Sequence, residues 1–175
     1  MLNLLGKSAA RKELGRLLEL QLAARARQTV FYSRLGVPDT IDGRFDLVAL
    51  HAWMALARLK ASGQDEAAQG LTDTLFIGFD EALREQGISD MGMGRRMKAI
   101  ANAFYGRISA YEAAKNQDEM AEALARNVWR GAEVDEGARA LAAYVTSARA
   151  ALEQAPVGQL DFGPLSASSS EAIGH

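Results

Sequence analysis

The sequence has no cysteine, two histidines and three prolines in 175 residues, and each shortage removes a class of explanation. Without cysteine, disulfides, thiolate zinc sites, iron-sulfur ligation and cysteine nucleophiles are excluded together. His51 is the only internal histidine, so neither a two-histidine metal pair nor a Ser-His-Asp triad can be built without the terminal His175. Few prolines and an ordinary share of apolar and charged residues argue against a fibrous repeat or extensive disorder. The longest mostly apolar stretch, Leu47 to Ala57, is interrupted by His51 and falls far short of the roughly 20 residues that span a bilayer.

An excess of charge of one sign is also lacking overall, since the net charge is −2, but the distribution is uneven. Residues 1 to 34 carry seven Lys/Arg against two Asp/Glu, and residues 91 to 115 carry five against one. The intervening segment, 35 to 90, and the last, 116 to 175, are acidic by ten to four and nine to four. Two basic segments on an acidic body describe a polarised surface, not a strongly basic nucleic-acid binder, and no DNA partner is expected. The amino end, MLNLLGKSAARK, sets apolar residues before bases, the reverse of an export signal. Leu2, Leu4 and Leu5 beside Lys7, Arg11 and Lys12 have the pattern of a light peripheral membrane contact, with a frayed helix start as the alternative.

What is present is helical periodicity. From Ser8, a plausible cap, to about Ser33 the residues Leu14, Leu17, Leu18, Leu22 and Val30 recur at three- and four-residue steps. GVPDTIDG (36 to 43) is turn chemistry, and Asp42 is positioned to cap a second helix that Gly63 ends. Asp46 in its first turn suits the positive end of the helix dipole. That helix is apolar nearly all round, as a central core helix must be. A third helix is expected over about 65 to 86, then a break at ISDMGMG, a fourth over about 93 to 115 and a fifth from about 118 to Gly131. A sixth is expected over about 134 to 154. No period-two alternation marks a strand. The expected architecture is all-α, a single domain of about six helices without a sheet. Its divisions are an N-terminal helical extension (1 to 19), a helical domain (20 to 154) and a flexible C-terminal tail (155 to 175).

Motifs for chemistry fail on inspection. Gly6-Lys7-Ser8 resembles the end of a phosphate-binding loop, but the required earlier glycine position is Met1. Gly92 and Gly94 begin a dinucleotide fingerprint whose third glycine would be Met97, and they are better explained as a corner between two helices. Glu66, Asp73 and Asp80 share a helix face and could bind a divalent ion, yet a solvated face with Asp80 paired to Arg84 is the simpler account. His51 is expected to be a hydrogen-bonded core residue. No cofactor is expected.

The helix after the ISDMGMG break carries the remaining signal: Arg95, Arg96, Lys98 and Arg107, with Phe104 and Tyr105. A solvated basic face, a protein-docking patch, and RNA or phospholipid contact are all compatible with that composition. Phe104 is expected in the core and Tyr105 facing outward.

Two stretches resemble a known family. FYSRLGVPDTIDGRFDLVALH (Phe31 to His51) and LREQGISDMGMGRRMKAIANAFYGR (Leu83 to Arg107) are similar, in order and spacing, to motifs of the ubiquinol-cytochrome c chaperone family, over roughly residues 20 to 130. Its members are assembly factors for the respiratory ubiquinol-cytochrome c reductase. The resemblance implies an all-α protein that is not an enzyme and that binds newly made cytochrome b. It also implies a second assembly factor or the ribosome as further partners. A cytoplasmic protein, peripheral at the inner face of the cytoplasmic membrane, is expected, with its contact surface at Arg95, Arg96, Lys98, Tyr105 and Arg107. The alternative is an RNA- or ribosome-binding helical module using the basic segments 7 to 34 and 91 to 115.

Overall fold

A helix that is apolar on every side can only be stable when other helices surround it, and the computed structural model is built on that condition. It describes residues 2 to 131, 133 to 156 and 158 to 165, with side chains from Gly6 onward. The helices are α1 (Leu2–Ala26), α2 (Thr29–Ser33), α3 (Ile41–Ala61), α4 (Asp65–Glu85), α5 (Asp90–Ala113), α6 (Gln117–Val128) and α7 (Glu136–Gln154). Helix α2 is a single turn, so the fold is all-α with six long helices, and no strand occurs among the described residues. Helix α3 touches α1, α4, α5, α6 and α7. Its Leu47, Ala49, Leu50, Ala52 and Ala55 have no exposed surface at all.

Side-chain caps set several of the starts. Thr40 Oγ1 accepts from Gly43 N at 3.1 Å and Asp135 Oδ1 from Ala138 N at 2.8 Å. Asn116 and Glu119 cap α6 reciprocally, because Asn116 Oδ1 accepts from Glu119 N while Glu119 Oε2 accepts from Lys115 N. Thr40, not the expected Asp42, is therefore the cap of α3, and Asp42 lies in its first turn. Ser8 lies inside α1 and caps nothing.

Three further features depart from the simple helical outline. First, the single helix expected to reach Ser33 is broken at Gln28, whose backbone is extended. At about 100° per residue, a continuous helix would point Phe31 away from the side that buries Leu22. The break instead turns Phe31 into the core, where it is fully buried. Second, α1 is one helix from Leu2 to Ala26 and begins ahead of the expected start at Ser8. Third, the stretch from 158 to 165, expected to be flexible, is packed: Leu160 and Phe162 are buried and Leu165 rests against the core. Their spacing of two, with exposed Asp161 between them, gives an extended strap one apolar face. Residues 166 to 175 of the expected tail, and the side chains of Leu2, Leu4 and Leu5, lie outside the described residues.

Arg25 holds the strap down. Its Nη2 donates to the carbonyl of Phe162 at 3.0 Å and to that of Gly163, and its Nε donates to the Tyr144 hydroxyl at 3.0 Å. Gln21 Oε1 accepts from Leu160 N at 2.9 Å. Helices α1 and α4 meet at two glycines, and a Cβ on Gly15 would lie 2.2 Å from the Gly70 carbonyl oxygen. Contact this close needs the missing side chain.

Candidate docking site on helix α5

Gly87, at φ +81, ends α4 in the left-handed conformation, and α5 begins three residues later. Gly92 and Gly94 therefore lie inside the first turns of α5, not in the expected corner, since the amides of Gly92 and Met93 already bond to the Ser89 carbonyl. Arg84 ties the two helices, reaching Asp80 at 2.7 Å on its own helix and Asp90 at 2.9 Å on the next.

Helix α5 presents one buried stripe and two different flanks. Met93, Phe104 and Tyr111 are buried, with Met97, Ile100 and Ile108 partly so. Arg95 points away from this stripe into solvent, as its offset from Phe104 requires. Lys98 and Tyr105, seven residues apart, share one flank. Tyr105 is 49% exposed and stacks on Phe76 at 5.9 Å and 21°, so one ring face is covered and the rest is open. Arg96 and Arg107 share the other flank and line a groove of about 580 Å³. The five candidate contact residues thus do not form one surface. Arg95, Arg96 and Lys98 are exposed, whereas the Arg107 side chain is only 14% exposed and is already engaged.

Its partner is Asp46, which is fully buried. Arg107 Nε donates to Asp46 Oδ1 at 2.6 Å, and Arg130 Nη1 lies 2.9 Å from Oδ2. Burial pushes the Asp46 carboxyl above the ordinary range, against the opposing pull of Arg107 and then Arg130. The Arg107 guanidinium also lies over the Phe45 ring, 5.0 Å from its centroid. Arg130 follows α6 with φ at +59, an unusual conformation for a side-chain-bearing residue, and from there also reaches Asp42 at 3.7 Å. Asp46 was expected to serve the dipole of its own helix; its actual role is to join α3, α5 and the end of α6.

The groove beside this ion triad draws its walls from four helices. Ile41 and Phe45 come from the start of α3, Leu83 and Gln86 from the end of α4, and Ile100 from α5. Arg126, Asn127 and Arg130 close it from the end of α6. Sequence reading missed Arg126, Arg130 and Ile41 as neighbours of α5. The one available signal was Ile41, an apolar residue in turn chemistry, now 69% exposed at the rim.

The other candidates are accounted for structurally. His51 is fully buried; its Nδ1 donates to the Leu47 carbonyl at 2.7 Å and its Nε2 accepts from the Tyr144 hydroxyl at 2.8 Å, the arrangement Tyr144 completes by accepting from Arg25. Burial drives the His51 pKa down to about 4, and burial likewise raises Tyr144 to about 12, so both are neutral at physiological pH. Glu66 and Asp73 pair with Arg11 at 3.6 and 4.0 Å, and Asp80 pairs with Arg84. Among the described residues no group of three or more His, Asp or Glu side chains is placed to hold a metal ion. Gly6-Lys7-Ser8 is helical, so its amides do not form a phosphate loop.

The family model described as "Ubiquinol-cytochrome C chaperone" matches residues 33 to 164. The chain belongs to the ubiquinol-cytochrome c chaperone family. That match spans α3 to α7 and the strap, and so contains every wall of the groove and all three members of the ion triad.

Relatives agree with it. The ubiquinol-cytochrome-c reductase complex assembly factor 1 of Xenopus laevis is 26% identical over 102 residues, covering 56% of this chain and 51% of that protein. The human protein of the same name is 28% identical over 102 residues, covering 57% of this chain and 33% of that one. This chain thus matches about half or less of the length of these relatives. A crystal structure of the Cbp3 homolog from Brucella abortus superposes with a TM-score of 0.81 at 34% identity, covering 93% of this chain and 96% of that one. No described helix is long and apolar enough to cross a membrane.

Proposed function

We propose that this protein acts in the assembly of ubiquinol-cytochrome c reductase by binding newly made cytochrome b, without catalysing a reaction. The observation that carries the reading is the family match across residues 33 to 164, supported by likeness to the Brucella Cbp3 homolog along nearly the whole chain. The surface offered to the client is the exposed outer side of α5, with Arg95 at its centre, Lys98 and Tyr105 on one flank and Arg96 on the other. Arg107 supports that edge from behind by holding Asp46. Exposed guanidinium and ammonium groups next to a half-open aromatic ring suit a client with charged loops and apolar helices. The protein would work at the inner face of the cytoplasmic membrane as a peripheral component, with a second assembly factor or the ribosome as further partners.

Deleting the gene is expected to abolish assembled ubiquinol-cytochrome c reductase while other respiratory complexes persist; an intact reductase would overturn the reading. Reversing charge at Arg95, Arg96 and Lys98 together is expected to lower recovery of cytochrome b in a pull-down from cells, and unchanged recovery would remove this edge from consideration. An RNA-binding module has less support. In the first basic segment Arg11, Arg16 and Arg25 are engaged with Glu66, Glu13 and the strap, respectively, and do not form a free basic face.

A further inference from the structure

We propose that the groove between the start of α3, the end of α4, α5 and the end of α6 binds an amphipathic, carboxylate-bearing segment of a partner polypeptide. Its apolar side chains would enter at Ile41 and Ile100, and its carboxylates would meet Arg96 and Arg126. The inference rests on the assembly-factor reading for the kind of partner, a polypeptide, and on the groove for where it sits.

Charge decides the sign of the occupant. The groove is lined by four arginines and one carboxylate, Asp42. Two of the arginines, Arg107 and Arg130, are held by the buried Asp46. Arg96 is exposed and enters no ion pair among the described residues. Arg126 has only Glu122 of its own helix, at 3.9 Å and with both side chains about 60% exposed, a pair that contributes little and is easily exchanged. Two planar guanidinium forks are thus available for carboxylates, which they bind in bidentate fashion. Between them lies apolar surface, with Ile41 standing 69% exposed at the rim. An exposed apolar anchor ringed by arginine matches an amphipathic segment with acidic flanks.

The polar groups on the walls separate a polypeptide from other anions. Asn127 Nδ2 donates to the Ala123 carbonyl, which leaves its amide oxygen to accept, and Gln86 lies exposed on the opposite wall. Primary amides serve a peptide backbone, which has both donors and acceptors; an acyl chain has no use for them. Single-stranded nucleic acid stacks its bases on open aromatic faces, and the one ring in the groove, Phe45, is half-buried and covered by Arg107.

The test measures fluorescence anisotropy of a labelled peptide about three helical turns long, with Leu on one face and Glu on the flanks, added to the intact protein. It is expected to bind, to weaken with salt, and to bind about tenfold or more weakly to Arg96→Glu and to Arg126→Glu. Both positions are exposed, so folding is not at issue, and Arg139→Glu on α7 serves as a charge-reversal control expected to bind normally. Ile41→Ser is expected to weaken binding without changing its salt dependence. Equal binding to both arginine variants, equal binding of a Lys-for-Glu peptide, or binding only of anionic phospholipid vesicles or of a second copy of the chain would overturn the proposal. Gene deletion separates the two readings. Loss of the reductase with no peptide binding sinks the groove alone, whereas peptide binding with the reductase intact sinks the assembly role alone.

Discussion

Arg107 Nε lies 2.6 Å from Asp46 Oδ1, a residue sixty-one positions earlier in the chain, and this pair joins the two helices that supply most of the groove. Removing the guanidinium would leave a buried carboxylate with Arg130 as its single partner. Arg107→Ala is therefore expected to cost about 3 kcal/mol, read from the urea midpoint. Adding Asp46→Asn should return part of that loss, because a neutral amide needs no counter-ion. If the double variant is as unstable as the single one, charge burial is not the cause.

The full burial of His51 makes a second, pH-dependent prediction. In the unfolded chain His51 takes a proton near pH 6.5, whereas in the folded protein it does so only near 4. Between those values the unfolded state binds more protons, so the stability due to His51 is complete above pH 6.5 and falls as the pH drops toward 4. The fall amounts to about 3 kcal/mol at roughly 1.4 kcal/mol per unit. His51→Gln should be less stable at neutral pH yet lose less on acidification across that window. Parallel curves for the two proteins, measured by denaturant unfolding at each pH, would refute the link.

Two glycine substitutions should act in opposite directions. Gly15→Ala places a methyl group against the Gly70 carbonyl and the Thr74 hydroxyl, 2.2 and 2.8 Å away, and separates α1 from α4. A net loss of roughly 1–3 kcal/mol is expected despite alanine's better helix propensity. Gly78→Ala on α4 meets nothing within 4 Å and should gain roughly 0.5–1 kcal/mol from that propensity alone. Thermal melts of the two variants give the signs directly.

Where local pattern and final environment agree, the fold was legible from the chain. The all-round apolar character of α3 marked it as the central helix, and α4, α6 and α7 begin and end within about three residues of their expected limits. His51 and Phe104 are buried and Tyr105 is half-exposed, as their helical positions implied. Legibility failed where a side chain's partner is remote. Phe31 breaks a helix because its place in the core lies off the helix's buried face. Leu160 and Phe162 were counted with a polar tail, although Arg25 and Gln21 wait on α1 to receive their backbone.

For the candidate site, composition and helical period set which side chains exist and which way each points from its own helix. The absence of cysteine excludes thiolate chemistry, and the helical period places Arg95, Arg96, Lys98 and Tyr105 near solvent. The packing of the helices pairs Arg107 with Asp46, sets Arg96 and Tyr105 on different flanks, and turns Arg126 and Ile41 toward one groove. The two kinds of information differ in range. Helical periodicity acts over a few residues and fixes which way a side chain points from its own axis, while charge pairing and apolar burial depend on which other helix lies across from it.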